Sequence, residues 1–126
     1  MTFPTSAKTM GFIITRDRAK AVAFYRDVLG FRQTGEDEFS AIFDLNGVMM
    51  RLTTVPDHKP SPHTVLGWEV TDIIADVRAL TAKGIKFERY EGFQHDELGI
   101  WHSPDGRAKV AWFLDPDGNN LSLAQH

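Results

Sequence analysis

With 126 residues, 42% apolar and 25% charged, the chain has the make-up of one folded domain with a real hydrophobic core, and a second independent domain does not fit. A formal charge of −3, with 14 Lys and Arg scattered along the chain, lacks the massed basic surface of a nucleic-acid binder. The absence of cysteine removes disulfides, thiolate nucleophiles and Cys-based zinc sites together, and no stretch has the length of a membrane span or the pattern of a leader, so the expectation is a cytoplasmic protein with neither nucleic acid nor membrane as partner.

Met10 to Thr15 is a short apolar run rich in β-branched residues and reads as a strand. Asp17 follows as an N-cap, and Ala21, Val22, Tyr25, Val28 and Leu29 fall on one helical stripe that Gly30 ends. Phe31 to Gly35, Phe39 to Leu45 and Val48 to Thr54 read as three strands, the last two joined by Asn46-Gly47, a pair suited to a turn that needs positive φ twice. Pro56 to Pro62 holds three prolines and reads as a linker. Beyond it the order repeats: a strand over Thr64 to Val70, a helix capped by Asp72 with the stripe Ile73, Val77 and Leu80 and a stop at Gly84, a strand over Ile85 to Tyr90, and a closing hairpin of Lys109 to Leu114 and Asn120 to Ala124.

The chain is therefore a tandem repeat, copy one about 9–55 and copy two about 63–125, within a single domain 1–126. Phe43-Asp44-Leu45-Asn46-Gly47 runs in register with Leu114-Asp115-Pro116-Asp117-Gly118. The copies differ in one spacing: Phe31 to Asp44 is 13 positions and Ile85 to Asp115 is 30, so copy two carries an insertion of about 17 residues within 92–107. Leu98 to His102 and the turn Pro104-Asp105-Gly106 suggest an added small hairpin there, a candidate lid.

Strand, helix and three strands given twice, with Ala21-Val22-Ala23-Phe24-Tyr25-Arg26-Asp27-Val28-Leu29-Gly30-Phe31 and Phe113-Leu114-Asp115-Pro116-Asp117-Gly118-Asn119, resemble the vicinal oxygen chelate superfamily of glyoxalase I, extradiol dioxygenases, fosfomycin-inactivating enzymes and bleomycin resistance proteins. The resemblance covers nearly the whole chain and implies an α+β fold in which two βαβββ units form a cupped mixed sheet. It also implies homodimers, and in metal-dependent members a divalent site built from His or Gln on the first strand and Glu on the last strand of each copy. Those positions fall here on Met10, Val65, Arg51 and Ser122, a thioether, an isopropyl group, a permanent cation and a neutral hydroxyl, which is no ligand set for a divalent ion. No metal or other cofactor is expected. His63 and Glu69, on one face of the same strand, are the candidates for a displaced metal site, and with them a lyase or dioxygenase activity stays open.

If the cup forms, alternation places Met10, Phe12, Ile14, Met49 and Arg51 on its lining from copy one, and Val65, Glu69, Phe113, Asn120 and Ser122 from copy two. This mixture suits a small aromatic or anionic molecule, with Arg51 either gripping a carboxylate or phosphate or pairing with Glu69. Trp101, in the insertion, either closes over a ligand or staples the insertion to the core. His95, Asp96, Glu97 and His102 beside it read as solvated surface, Trp68 and Tyr25 as packed residues. No nucleophile and base are paired by spacing, so the catalytic residues stay unassigned; Glu69 could act as a base if burial raised its pKa. The expected function is metal-free binding of a small organic molecule.

Overall fold

The computed structural model describes residues 2–126, and in each half one strand face turns inward because every second residue is apolar. Chain contacts divide the protein into two units, the first ending at His58 and the second beginning at Lys59, inside the proline-rich stretch. The first comprises β1 (Met10–Thr15), α1 (Arg18–Ala23), β2 (Arg32–Glu36), β3 (Ser40–Asp44) and β4 (Met49–Thr54). Its sheet order is β1-β4-β3-β2, with β1 parallel to β4 and the other pairs antiparallel.

Asp17 caps α1 as expected, accepting the Lys20 amide at 3.3 Å. The continuous α-helix read from the sequence is not what forms. After Ala23 the backbone widens into a π-helical segment, Phe24–Val28, closed by the Leu29 amide on the Phe24 carbonyl at 3.0 Å. Aromatic packing accompanies the change: Tyr25 is fully buried, edge-on to Phe24 at 5.2 Å and 6.2 Å from Phe43. Ile13, Ala21, Met50 and Leu52 complete this core, each large apolar side chain contributing about 1.5–3 kcal/mol when buried. At the β3–β4 turn Asn46 and Gly47 take φ of 57° and 104°, the double positive φ that the dipeptide predicts.

The second unit comprises β5 (Thr64–Glu69), α2 (Ile73–Ala82), β6 (Phe87–Glu88), β7 (Trp101–His102), β8 (Lys109–Leu114) and β9 (Asn120–Gln125). Its order, β5-β9-β8-β6 with β5 parallel to β9, repeats that of the first unit. The core here gathers Ile73, Val77, Phe87, Ile100, Phe113 and Leu121. β6 is two residues long, shorter than the strand expected over Ile85 to Tyr90, because one edge of β8 is shared: Phe87 and Glu88 take Phe113 and Trp112, while Trp101 and His102 take Val110 and Lys109. The insertion thus supplies β7, and the Pro104-Asp105-Gly106 turn closes with the Gly106 amide on the Ser103 carbonyl at 2.9 Å. Among the described residues no helix is long and apolar enough to cross a membrane.

Candidate functional site

Each unit has a sheet face without a helix on it, and the sequence-predicted site residues divide between these two faces. In the first unit the ladder sets Met10 opposite Met49 and Phe12 opposite Arg51, so these four share the helix-free face. Met10, Phe12 and Met49 are 41%, 59% and 46% exposed, an apolar surface around one guanidinium. The carboxylate that meets Arg51 is Asp37, not Glu69. Asp37 is itself fixed, accepting the Phe39 and Ser40 amides at 2.9 and 2.8 Å. The Phe39 amide, then the Arg51 guanidinium and the Ser40 amide, hold the Asp37 carboxyl below the usual carboxylate range. With one nitrogen on Asp37, Arg51 keeps donors for a second acceptor.

In the second unit Ser122 pairs with Trp112 and Asn120 with Leu114, which places all four on the helix-free face. Phe113, expected beside them, is 1% exposed and lies in the buried layer with Leu121 and the Phe87 ring, 5.6 Å away. The correction follows from the tight hairpin: residues directly across an antiparallel pair share a face, and Phe113 is across from Leu121. Trp112 takes the place that Phe113 was expected to fill. Val65 marks a register shift in β5, between Thr64 paired with Asn120 and Leu66 paired with Leu121, and is 46% exposed. Gly67 stands opposite Ser122, so close that a Cβ there would meet the serine Oγ at 2.8 Å.

Asn120 is 4% exposed and works in both directions: its Oδ1 accepts the Thr64 hydroxyl at 2.9 Å, and its Nδ2 donates to the Tyr90 hydroxyl at 2.6 Å. Tyr90 is the residue that sequence reasoning missed, together with Trp112. The Tyr90 ring lies 5.3 Å from Trp112 and 6.2 Å from Phe93, and Phe93 lies 5.9 Å from Trp101. The signal was present in the sequence: Glu88, Tyr90, Val110 and Trp112 alternate with the core residues Phe87, Ala111 and Phe113.

The insertion is fastened by its own polar groups. Arg89 donates to the Asp96 and Glu97 carbonyls at 2.9 and 3.0 Å, and His95 accepts the Tyr90 amide at 3.0 Å while its Nδ1 meets the Gly99 carbonyl at 2.9 Å. Asp96 accepts the Leu98 and Ile100 amides and bonds His102 at 2.9 Å. Burial alone would raise the Asp96 carboxyl, but the His102 contact and the two amides outweigh it and hold it low. His95 and Asp96, read from the sequence as solvated surface, are part-buried fasteners of the insertion, whereas Glu97 and His102 are exposed as that reading has them, and Trp101 packs among the rings.

Glu69 is 78% exposed at its side chain and meets His126 at 3.2 Å; His63 is exposed ahead of β5. Among the described residues no three His, Cys, Asp or Glu side chains gather in a way that could hold a metal ion. Met10, Arg51, Val65 and Ser122 do not fit one either: the guanidinium is permanently cationic and the remaining groups offer no anionic or imidazole donor.

The family model Glyoxalase, described as the Glyoxalase/Bleomycin resistance protein/Dioxygenase superfamily, matches residues 7–123. The metallothiol transferase FosB of Staphylococcus haemolyticus is 32% identical over 109 residues, 83% of this chain and 73% of that protein, and the FosB of Staphylococcus epidermidis matches to the same extent. Among solved structures, a glyoxalase family protein from Bacillus anthracis is similar with a TM-score of 0.76 at 14% identity, covering 100% of this chain and 99% of that one. A superfamily member from Sphaerobacter thermophilus gives 0.73 at 22% identity, covering 96% and 98%. The repeated βαβββ order, the Asp115-Pro116-Asp117-Gly118 turn and the match across 7–123 lead to one conclusion: this chain belongs to the Glyoxalase/Bleomycin resistance protein/Dioxygenase superfamily.

Proposed function

We propose that this protein binds a small aromatic or anionic organic molecule without the help of a divalent metal. The observation that carries the reading is the donor set at the superfamily's ligand positions, where Met10, Arg51, Val65 and Ser122 stand. In the first unit the helix-free face offers exposed Met10, Phe12 and Met49 around Arg51, apolar contact beside one cation, which supports such binding. Arg51 would grip a carboxylate or phosphate through the donors that Asp37 leaves. The FosB relatives are named metallothiol transferases, and a metal-borne transfer would need ligands that these four positions do not offer.

Two measurements test the reading. Protein equilibrated with zinc, nickel, manganese and ferrous iron and then desalted is expected to carry near-zero metal by elemental analysis; about one metal per chain would overturn it. Calorimetric titration with benzoate and phenylphosphate is expected to show saturable binding that Arg51→Ala weakens by about tenfold, roughly the loss of one charged hydrogen bond, while the fold is retained. A collapse of unfolding stability in Arg51→Ala, with binding unchanged, would make the Asp37–Arg51 pair purely structural.

A further inference from the structure

A cleft of about 350 Å³ lies wholly within the second unit, between the Pro60-Ser61-Pro62 stretch and the ends of β6, β8 and β9. Its walls are the two proline rings and Leu114, and its polar groups include Glu88, Tyr90 and Asn120. Pro60 is seated on Gly118, which has φ of 87° and where a Cβ would meet the proline Cγ at 3.3 Å, so the wall is held against the Asp115–Asn119 turn by close backbone approach.

The hydrogen bonds of this cleft run from Thr64 through Asn120 to Tyr90. Thr64 donates to Asn120 Oδ1, which turns the amide nitrogen toward Tyr90 and makes the tyrosine oxygen an acceptor. The Tyr90 O–H hydrogen is then not used on Asn120 and is available to an acceptor in the cleft. Packing of the Tyr90 ring on Trp112 and Phe93 fixes where that donor sits. Glu88 is the single charged side chain of the lining, and among the described residues no cation pairs with it. An anion is therefore repelled here, whereas an ammonium group would find a carboxylate and the apolar proline walls together.

We propose that this cleft is a binding site for a small organic ammonium compound that also carries a carbonyl oxygen, the ammonium meeting Glu88 and the carbonyl accepting from Tyr90. Tyr90 and Glu88 contact the ligand; Asn120 and Thr64 are positioning residues that orient the tyrosine hydroxyl. The volume suits a molecule of about a dozen heavy atoms, at the small end of ligand pockets. The proposal does not rest on Arg51, which belongs to the first unit, and the charge it calls for is the opposite one.

Calorimetry on the full chain tests this with three probes of one shape: monobenzoyl ethylenediamine (ammonium and carbonyl), N-ethylbenzamide (carbonyl without charge) and hippurate (carbonyl and carboxylate). The ammonium probe is expected to bind saturably, the neutral one about tenfold more weakly, and hippurate not to bind at this cleft, as read by the Asn120 side-chain amide signal in NMR. Tyr90→Phe, which keeps the ring packing, should weaken the ammonium probe by about tenfold, and Thr64→Val, which leaves Tyr90 in place, by a smaller factor. Glu88→Gln should abolish the preference for the ammonium probe over the neutral one. Equal binding of all three probes, no shift of the Asn120 signal, or unchanged affinity in Tyr90→Phe would each overturn the proposal.

Discussion

Phe12 stands opposite Arg51 across β1 and β4, and at the matching places across β5 and β9 Gly67 stands opposite Ser122. The two units pair their strands in the same order, so at these matched positions the contrast lies in the side chains. In the first unit the face carries an exposed ring and a long cation tied to Asp37. In the second it is nearly bare beside Trp112, and the aromatic wall comes from β8 and from an insertion that the first unit lacks. A repeated backbone thus reserves positions, while the residues standing there decide whether a face offers charge or shape. The turns diverge in the same way. Asp44 accepts one exposed amide, from Gly47 at 2.7 Å, whereas Asp115 is 5% exposed and accepts the Asp117 amide, the Asn119 amide and the Asn119 side chain at 2.9, 3.0 and 2.8 Å.

The sharpest break of this comparison is at β8, where neighbours face opposite ways. Phe113→Ala is expected to cost about 3–5 kcal/mol in urea unfolding, as for other fully buried aromatic rings, and Trp112→Ala distinctly less. Equal costs would mean that the two faces are not distinguished as described. Next in size is Asp115→Ala, which leaves three buried donors without their acceptor and should lower stability by about 2–4 kcal/mol, against about 0.5–1 for Asp44→Ala. Chemical denaturation of the two variants side by side measures the difference between the turns.

How much of this was legible in the sequence depends on whether a local rule fixed the answer. Asn46-Gly47, the Asp17 and Asp72 caps and the repeated strand order were readable because each follows from one residue's conformational or hydrogen-bonding preference. The faces of β1 and β4 were readable from alternation. Phe113 was assigned to the wrong face because its strand was read alone; the apolar Leu121 across the hairpin carried the missing information. The π-helical turn at Phe24 accompanies the burial of Tyr25 against Phe24 and Phe43, tertiary packing that no window of local sequence states. The partner of Arg51 was missed for a similar reason: Asp37 is 14 residues away in a turn whose geometry places its carboxylate only after β3 and β4 have paired.

Gly67→Ala examines the close approach itself. The new Cβ would crowd Ser122 Oγ, so a loss of about 1 kcal/mol is expected, set against a gain of about 0.4–1 kcal/mol from reduced unfolded-chain freedom. In a Ser122→Ala background the crowding atom is gone, and the same substitution should become neutral or stabilising. Thermal unfolding of the two single variants and the double variant forms a cycle that reads this coupling directly. If Gly67→Ala costs the same in both backgrounds, the contact with Ser122 is not what keeps glycine there.

The smallest expected effect concerns the acid in each unit that its neighbours hold low. Asp37 in the first unit and Asp96 in the second have folded-state carboxyl pKa values below their unfolded ones, so each stabilises the fold fully above about pH 4. That contribution is lost as pH falls through the lowered folded value, because the unfolded chain takes up the proton first. Asp37→Asn keeps an acceptor for the Phe39 and Ser40 amides but removes the charge facing Arg51. Its stability, followed by urea unfolding from neutral to acidic pH, should therefore fall less steeply on acidification than that of the unsubstituted protein. Asp96→Asn should flatten the same limb, since the carboxylate that the His102 contact and two amides hold low is gone. A steepness unchanged by Asp37→Asn but reduced by Asp96→Asn would place the acid sensitivity in the insertion of the second unit, away from the arginine-bearing face of the first.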